Sequence, residues 1–247
     1  MLLLLIVTFS LIGSLGAAAG AALLLAFPLA IRDALVPALI SYSTGVLLGA
    51  AFLGMIPTAL LHVDAKLILP TVLSGLVLFF TLEKLVLWRH CHDRDCPAHI
   101  GRTGALILVG DALHNFVDGV VIAAAFLASV PLGITTAVAV IAHEVPQEVG
   151  DFAILLDSGY SRAKAFWLNQ LSASTTLPGA LAGYFWLAHL QAAIPYILAL
   201  SAASFVYIAL ADLVPSLHRR TAPWQSALQL ILLLAGIGTI ALMHHVR

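Results

Sequence analysis

Two short stretches of this apolar chain carry nine polar side chains between them: DALHNFVD holds Asp111, His114, Asn115 and Asp118, and HEVPQEVGD holds His143, Glu144, Gln147, Glu148 and Asp151. In each stretch polar residues recur at i, i+3, i+4 and i+7, which puts them on one face of a helix. Imidazole nitrogens, carboxylates and amide oxygens are ligands for divalent transition metals. Several carboxylates in a low-dielectric interior repel one another unless a cation neutralises them. A bound divalent ion does this directly. The competing reading is a hydrogen-bonded network between two helices, with some carboxylates protonated.

Membrane helices carry these groups. The chain of 247 residues is 62% hydrophobic and 9% charged, with a formal net charge of −1. That composition lies outside the soluble globular range. Eight apolar stretches have spanning length: about 3–29, 41–62, 67–88, 104–128, 132–156, 165–187, 193–215 and 225–244. The softest break, between the fourth and fifth, is marked by Ser129-Val130-Pro131-Leu132-Gly133. The N-terminal run lacks a basic segment and is too long for a signal-peptide core, so it reads as the first span.

With the N-terminus outside, Arg32, Lys84, Arg89, Arg94, Arg102, Arg162, Lys164, Arg219 and Arg220 fall on the inner side, against Lys66 and Arg247 on the outer side. The positive-inside rule then makes both termini extracytoplasmic. His114 and His143 come near the midplane on adjacent antiparallel helices, each roughly ten residues from a helix end at about 1.5 Å per residue. Pro146 removes one helical hydrogen bond and frees the carbonyl of Ala142 to face the site or a water, with a kink expected there.

Spans two and seven echo each other, GVLLGAAFLGMIPTALLH against ASFVYIALADLVPSLHR. The fold expected is all-α and polytopic: eight transmembrane helices in one domain over 1–247, with an inverted 3+2+3 repeat around helices 4 and 5.

HNFVD at 114–118 and HEVPQEVGD at 143–151 resemble the signature motifs of the ZIP (Zrt/Irt-like) divalent-metal transporters, and the resemblance extends over the whole chain. It implies a transport site between spans four and five. One metal would be held by His114, Asp118, His143 and Gln147, with Glu148, and an adjacent position would use Asn115, Glu144 and shared ligands. Asp111, Glu148 and Asp151 fall toward the cytoplasmic half. The resemblance also implies movement of metal toward the cytoplasm, in some members by an elevator-like slide, and a homodimer. Two departures stand out. Gln147 replaces the His or Glu common in the family, and STTLPGA in span six offers only Ser174, Thr175 and Thr176 where some members carry a carboxylate.

The expected function is import of divalent cations, zinc first, with Fe²⁺, Mn²⁺, Co²⁺ and Cd²⁺ left open because affinity order alone does not set selectivity. No organic cofactor, nucleic-acid partner or ATP-driven step is expected, and the chain is read as a non-enzyme in contact with membrane lipid, in a bacterial inner (plasma) membrane. An intramembrane metalloprotease using His143 and Glu144 is the alternative, but it needs a second histidine one turn on, where Gln147 stands. A haem clamped by His114 and His143 conflicts with the surrounding carboxylates.

The third loop, 89–103, holds His90, Cys91, His92, Asp93, Asp95, Cys96 and His99, a set suited to metal capture on the reducing side. Asp212 could line an exit, with His218 beyond it, and His62 and Asp64 could draw cations to the outer mouth.

Overall fold

The computed structural model describes the backbone of residues 1–90, 99–218 and 222–245. Helical rods follow in order: α1 (Leu2–Leu25), α2 (Leu29–Leu60), α3 (Ala65–His90), α4 (His99–Ala128), α5 (Val130–Asp157), α6a (Arg162–Ala173) with α6b (Thr176–Leu187), α7 (Gln191–Leu217) and α8 (Pro223–His245). No strand occurs among the described residues. The fold is thus an all-α polytopic membrane protein, as the composition requires. Side chains of the His90–His99 loop cluster lie outside the described residues.

Six of these rods are long and apolar enough to cross a membrane. α5 has 28 residues but carries the carboxylates of HEVPQEVGD. The sixth rod is split at Ser174-Thr175, where one continuous span was expected. Pro178 sits at the third position of α6b, where its missing N–H costs no helical bond. A second correction concerns α2: residues 30–40, expected as an inner loop, are helical from Leu29 onward, and Pro37 lies inside the helix. Arg32 therefore belongs to the first turns of α2. The first span ends earlier than expected, at Leu25, because Pro28 starts the next helix as its N-cap.

The expected break between spans four and five is a single residue. Ser129 is extended and its hydroxyl accepts from the Leu132 N–H at 3.3 Å, capping α5, with Pro131 in the first turn. α4 and α5 are therefore neighbouring rods joined at one end, and their polar stripes meet across the contact. Gly159, at φ 85°, makes the turn into α6a.

Glycines set how closely the rods approach. A Cβ at Gly119 would lie 2.0 Å from the Thr176 carbonyl oxygen, and one at Gly179 would lie 2.0 Å from that of Phe116. α6b consequently lies against the backbone of α4, as small residues permit in membranes. α5 also packs on α1 and α2, while α2 packs along α8 and α3 along α7.

α2 and α7 share a local feature. Each has a π-helical segment, Ala50–Met55 and Ile208–Leu213, that runs into Ile56-Pro57 or Val214-Pro215. In both, the N–H of the residue before the proline bonds a carbonyl five residues back, Ala51 for Ile56 and Ala209 for Val214. The wide turn falls where proline removes the next donor.

Candidate metal centre

On α4 and α5 four side chains converge. The Nε2 atoms of His114 and His143 are 3.3 Å apart. Asp118 Oδ2 lies 3.3 Å from His143 Nε2 and 3.9 Å from His114 Nε2. Glu144 Oε1 lies 3.4 Å from His114 Nε2 and 3.6 Å from His143 Nε2. An ion about 2.0–2.1 Å from four tetrahedral ligands separates them by about 3.3 Å. Two imidazoles and two carboxylates are thus spaced as a tetrahedral divalent ion needs.

Local structure orients the ligands. His143 Nδ1 is 2.9 Å from the Ala139 carbonyl, one helical turn back, and donates to it. This leaves Nε2 with its lone pair toward the cluster, the usual arrangement for a ligating histidine. His143 and Asp118 are each 1% exposed and Glu144 is fully buried. Neither Glu144 oxygen accepts a hydrogen bond from the described residues, and neither does Asp118 Oδ2. Buried carboxylates without donors are costly. A cation at the centre satisfies all three atoms at once.

A second group shares Glu144. Asp111, Glu144 and Glu148 each offer an oxygen within 4.8 Å of the others. Glu148 is fully buried, and its oxygens also accept no hydrogen bond from the described residues. Asn115, expected as a ligand, is engaged otherwise. Its Nδ2 donates to Asp111 Oδ1 at 2.9 Å, and its Oδ1 accepts from the Thr176 hydroxyl at 2.9 Å.

Span six supplies more than its motif suggested. Ser172 donates to Asp111 Oδ2. The Thr175 hydroxyl donates to the Ala112 carbonyl at 2.6 Å. Asn169, 1% exposed, faces Glu148. Ser174 bonds back to Leu171 at 2.6 Å and takes no part. Asn169 and Ser172 were not found from the sequence. Asn169, Ser172 and Thr176 repeat at i, i+3 and i+7, the same signal that marked spans four and five.

Asp151 joins neither His and carboxylate cluster, and Gln147 sits beside it in the same lining. They line, with Asp111, His114, His143 and Asp212, a cavity of about 510 Å³. Its lining comes from the N-terminal half of α4, the C-terminal half of α5 and the end of α7, so it opens away from the Ser129 turn. Asp212 therefore faces the route its position suggested.

In the other direction along α4 and α5 lie Ile122, Phe126 and Leu132, packed with Met55 and Phe205 in the main apolar core. The Phe205 ring meets His143 edge-on at 5.7 Å. This plug separates the cluster from a small cavity of about 160 Å³ at the far end, which His62 lines with Thr58 and Gln191. Asp64 instead caps α3, accepting from the Lys66 N–H at 2.7 Å.

A family described as ZIP Zinc transporter matches residues 89–244, which include both polar stripes. Zinc transporter ZIP13 of Pongo abelii is 33% identical over 222 residues, covering 83% of this chain and 65% of that protein. Zinc transporter ZIP13 of Danio rerio is 40% identical over 152 residues, covering 60% of this chain and 43% of that protein. Zinc transporter ZIP6 of Homo sapiens is 42% identical over 129 residues, covering 52% and 17%. The chain thus spans less than two-thirds of the length of these relatives, all of them animal proteins.

Proposed function

The chain belongs to the ZIP zinc transporter family, and we propose that it carries divalent transition-metal cations, zinc first, through the membrane toward the cytoplasm. It is read as a transporter and not an enzyme. The observation that carries this reading is the convergence of His114, Asp118, His143 and Glu144, with donor spacings of 3.3–3.9 Å and buried carboxylate oxygens that accept no hydrogen bond from the described residues.

The four ligands take the ion from water and hold it near the midplane. Imidazole nitrogen beside carboxylate oxygen favours a borderline ion over a hard one. Fe²⁺, Mn²⁺, Co²⁺ and Cd²⁺ are the competing cargo. Glu144 belongs to both carboxylate groups, so an ion leaving the histidines passes to Asp111, Glu144 and Glu148 without losing every ligand at once. Asn115 and Ser172 hold Asp111 for that transfer, and Thr176 in turn holds Asn115. Gln147, Asp151 and Asp212 then line the exit cavity.

The cavity opens at the helix ends that carry most of the Lys and Arg, which the positive-inside rule assigns to the cytoplasm. The apolar plug of Phe126, Phe205 and Met55 closes the opposite side. In this reading both termini are extracytoplasmic. The paired π turns before Pro57 and Pro215 support the inverted repeat, with α4 and α5 between its halves. A bacterial inner membrane and a homodimer complete the reading, carried by the sequence and the family resemblance alone.

Equilibrium binding tests the proposal. The purified chain should bind Zn²⁺, and Asp118→Ala and Glu144→Ala should each weaken binding at least about tenfold. Unchanged affinity in both would remove the metal centre.

A further inference from the structure

Pro146 has no N–H, so the Ala142 carbonyl lacks its usual i+4 helical donor. That carbonyl precedes His143, and Ala142 is half-buried against the main apolar core. The expectation was that it would face the site or a water. Instead the Ser43 hydroxyl of α2 donates to it. Ser43 is 1% exposed. Its neighbours behave differently: Ser41 bonds back to Pro37 at 2.7 Å and Thr44 to Ile40 at 2.8 Å, each within α2. Of the three hydroxyls in SYST that α2 buries, Ser43 is the one that reaches across to the ligand-bearing helix.

We propose that Ser43 is a positioning residue for the metal centre: its hydroxyl replaces the hydrogen bond that Pro146 deletes, fixes the α5 turn that carries His143 and Glu144, and ties that turn to α2. The inference rests on the metal-centre reading above. The physical need is local. A carbonyl left without a donor inside the protein is destabilising, and the turn would relax by rotating toward another donor. His143 and Glu144 are the next two residues, so such a rotation moves two of the four ligands. The bond also crosses from α2, which packs along α8, to α5, which packs along α4. Any movement of the α4–α5 pair past α2 has to break it.

The test is a double-mutant cycle on the purified full-length chain, with Co²⁺ as the probe because its visible spectrum reports ligand geometry. Ser43→Ala should weaken Co²⁺ binding about tenfold, as lost support of a metal ligand does, and should shift the spectrum. Ser43→Thr keeps the hydroxyl and should retain most of the affinity. Pro146→Ala supplies an N–H for the Ala142 carbonyl from within α5. In that background Ser43→Ala should add no further loss. Equal losses in both backgrounds would overturn the proposal, because a packing role does not depend on Pro146. An unshifted spectrum in Ser43→Ala would overturn it as well.

A metal-free readout separates this inference from the functional reading. Amide hydrogen exchange across α5 should quicken in Ser43→Ala and not respond to the same change in Pro146→Ala. A wild-type chain that binds no Co²⁺ would overturn the metal centre, while the exchange cycle still decides whether Ser43 holds the turn.

Discussion

The Nε2 atoms of His114 and His143 stand 3.3 Å apart, with Asp118 Oδ2 and Glu144 Oε1 within 3.9 Å of both. The two histidines come from helices joined by one extended residue, Ser129. That turn sets the two rods side by side and brings their stripes into register.

His143→Ala removes the ligand whose Nδ1 is fixed by the Ala139 carbonyl. It should weaken zinc binding at least about tenfold and abolish uptake, with insertion intact. Calorimetry on purified protein beside a membrane-fraction assay checks this. Normal affinity with normal insertion would take His143 out of the centre.

Gln147 lines the cavity beside His143. Gln147→His should tighten zinc binding, because imidazole is a better zinc ligand than a neutral amide. Competition against a metal-sensitive dye measures it, and an unchanged affinity and metal preference would leave Gln147 as cavity lining.

Glu148→Gln keeps the size of a buried side chain and removes its charge. The histidine pair should keep its Co²⁺ spectrum, while flux falls because the Asp111, Glu144 and Glu148 group is weakened. A full loss of the spectrum would mean that the two ligand groups act as one.

Gly119 and Gly238 give a test with opposite signs. A Cβ at Gly119 meets the Thr176 carbonyl at 2.0 Å, and one at Gly238 meets nothing within 4 Å. Gly119→Ala should destabilise the protein by about 1–3 kcal/mol through overpacking. Gly238→Ala should stabilise it by about 0.5–1 kcal/mol, as removing a mid-helix glycine does. Thermal unfolding in detergent reads both.

The site was largely legible because polar residues in a membrane helix stand out against their background. His114, Asp118, His143 and Glu144 each announced themselves by type and period. Asn115 was harder, since its sequence position cannot say whether its amide faces an ion or the Thr176 hydroxyl. Ser172 and Asn169 passed unnoticed because small polar residues are common in membrane helices, and only the position of α4 gives their period a meaning. The break at Ser174-Thr175 depends on hydroxyls bonding α4 carbonyls across the contact, which no local rule contains. The extension of α2 back to Leu29 was hidden by Arg32 and by Pro37, which lies inside the helix where proline normally ends one. Ser43 illustrates the same limit: Pro146 reveals the orphaned carbonyl, but not which helix supplies its donor.

The most direct measurement is zinc flux into proteoliposomes holding a metal-sensitive dye, comparing the wild type with the His114→Ala, His143→Ala double variant. A metal centre between α4 and α5 predicts saturable entry in the wild type and none above background in the variant, at equal protein incorporation. Equal saturable entry in both would contradict it, because the ion would then cross without the two imidazoles at its centre.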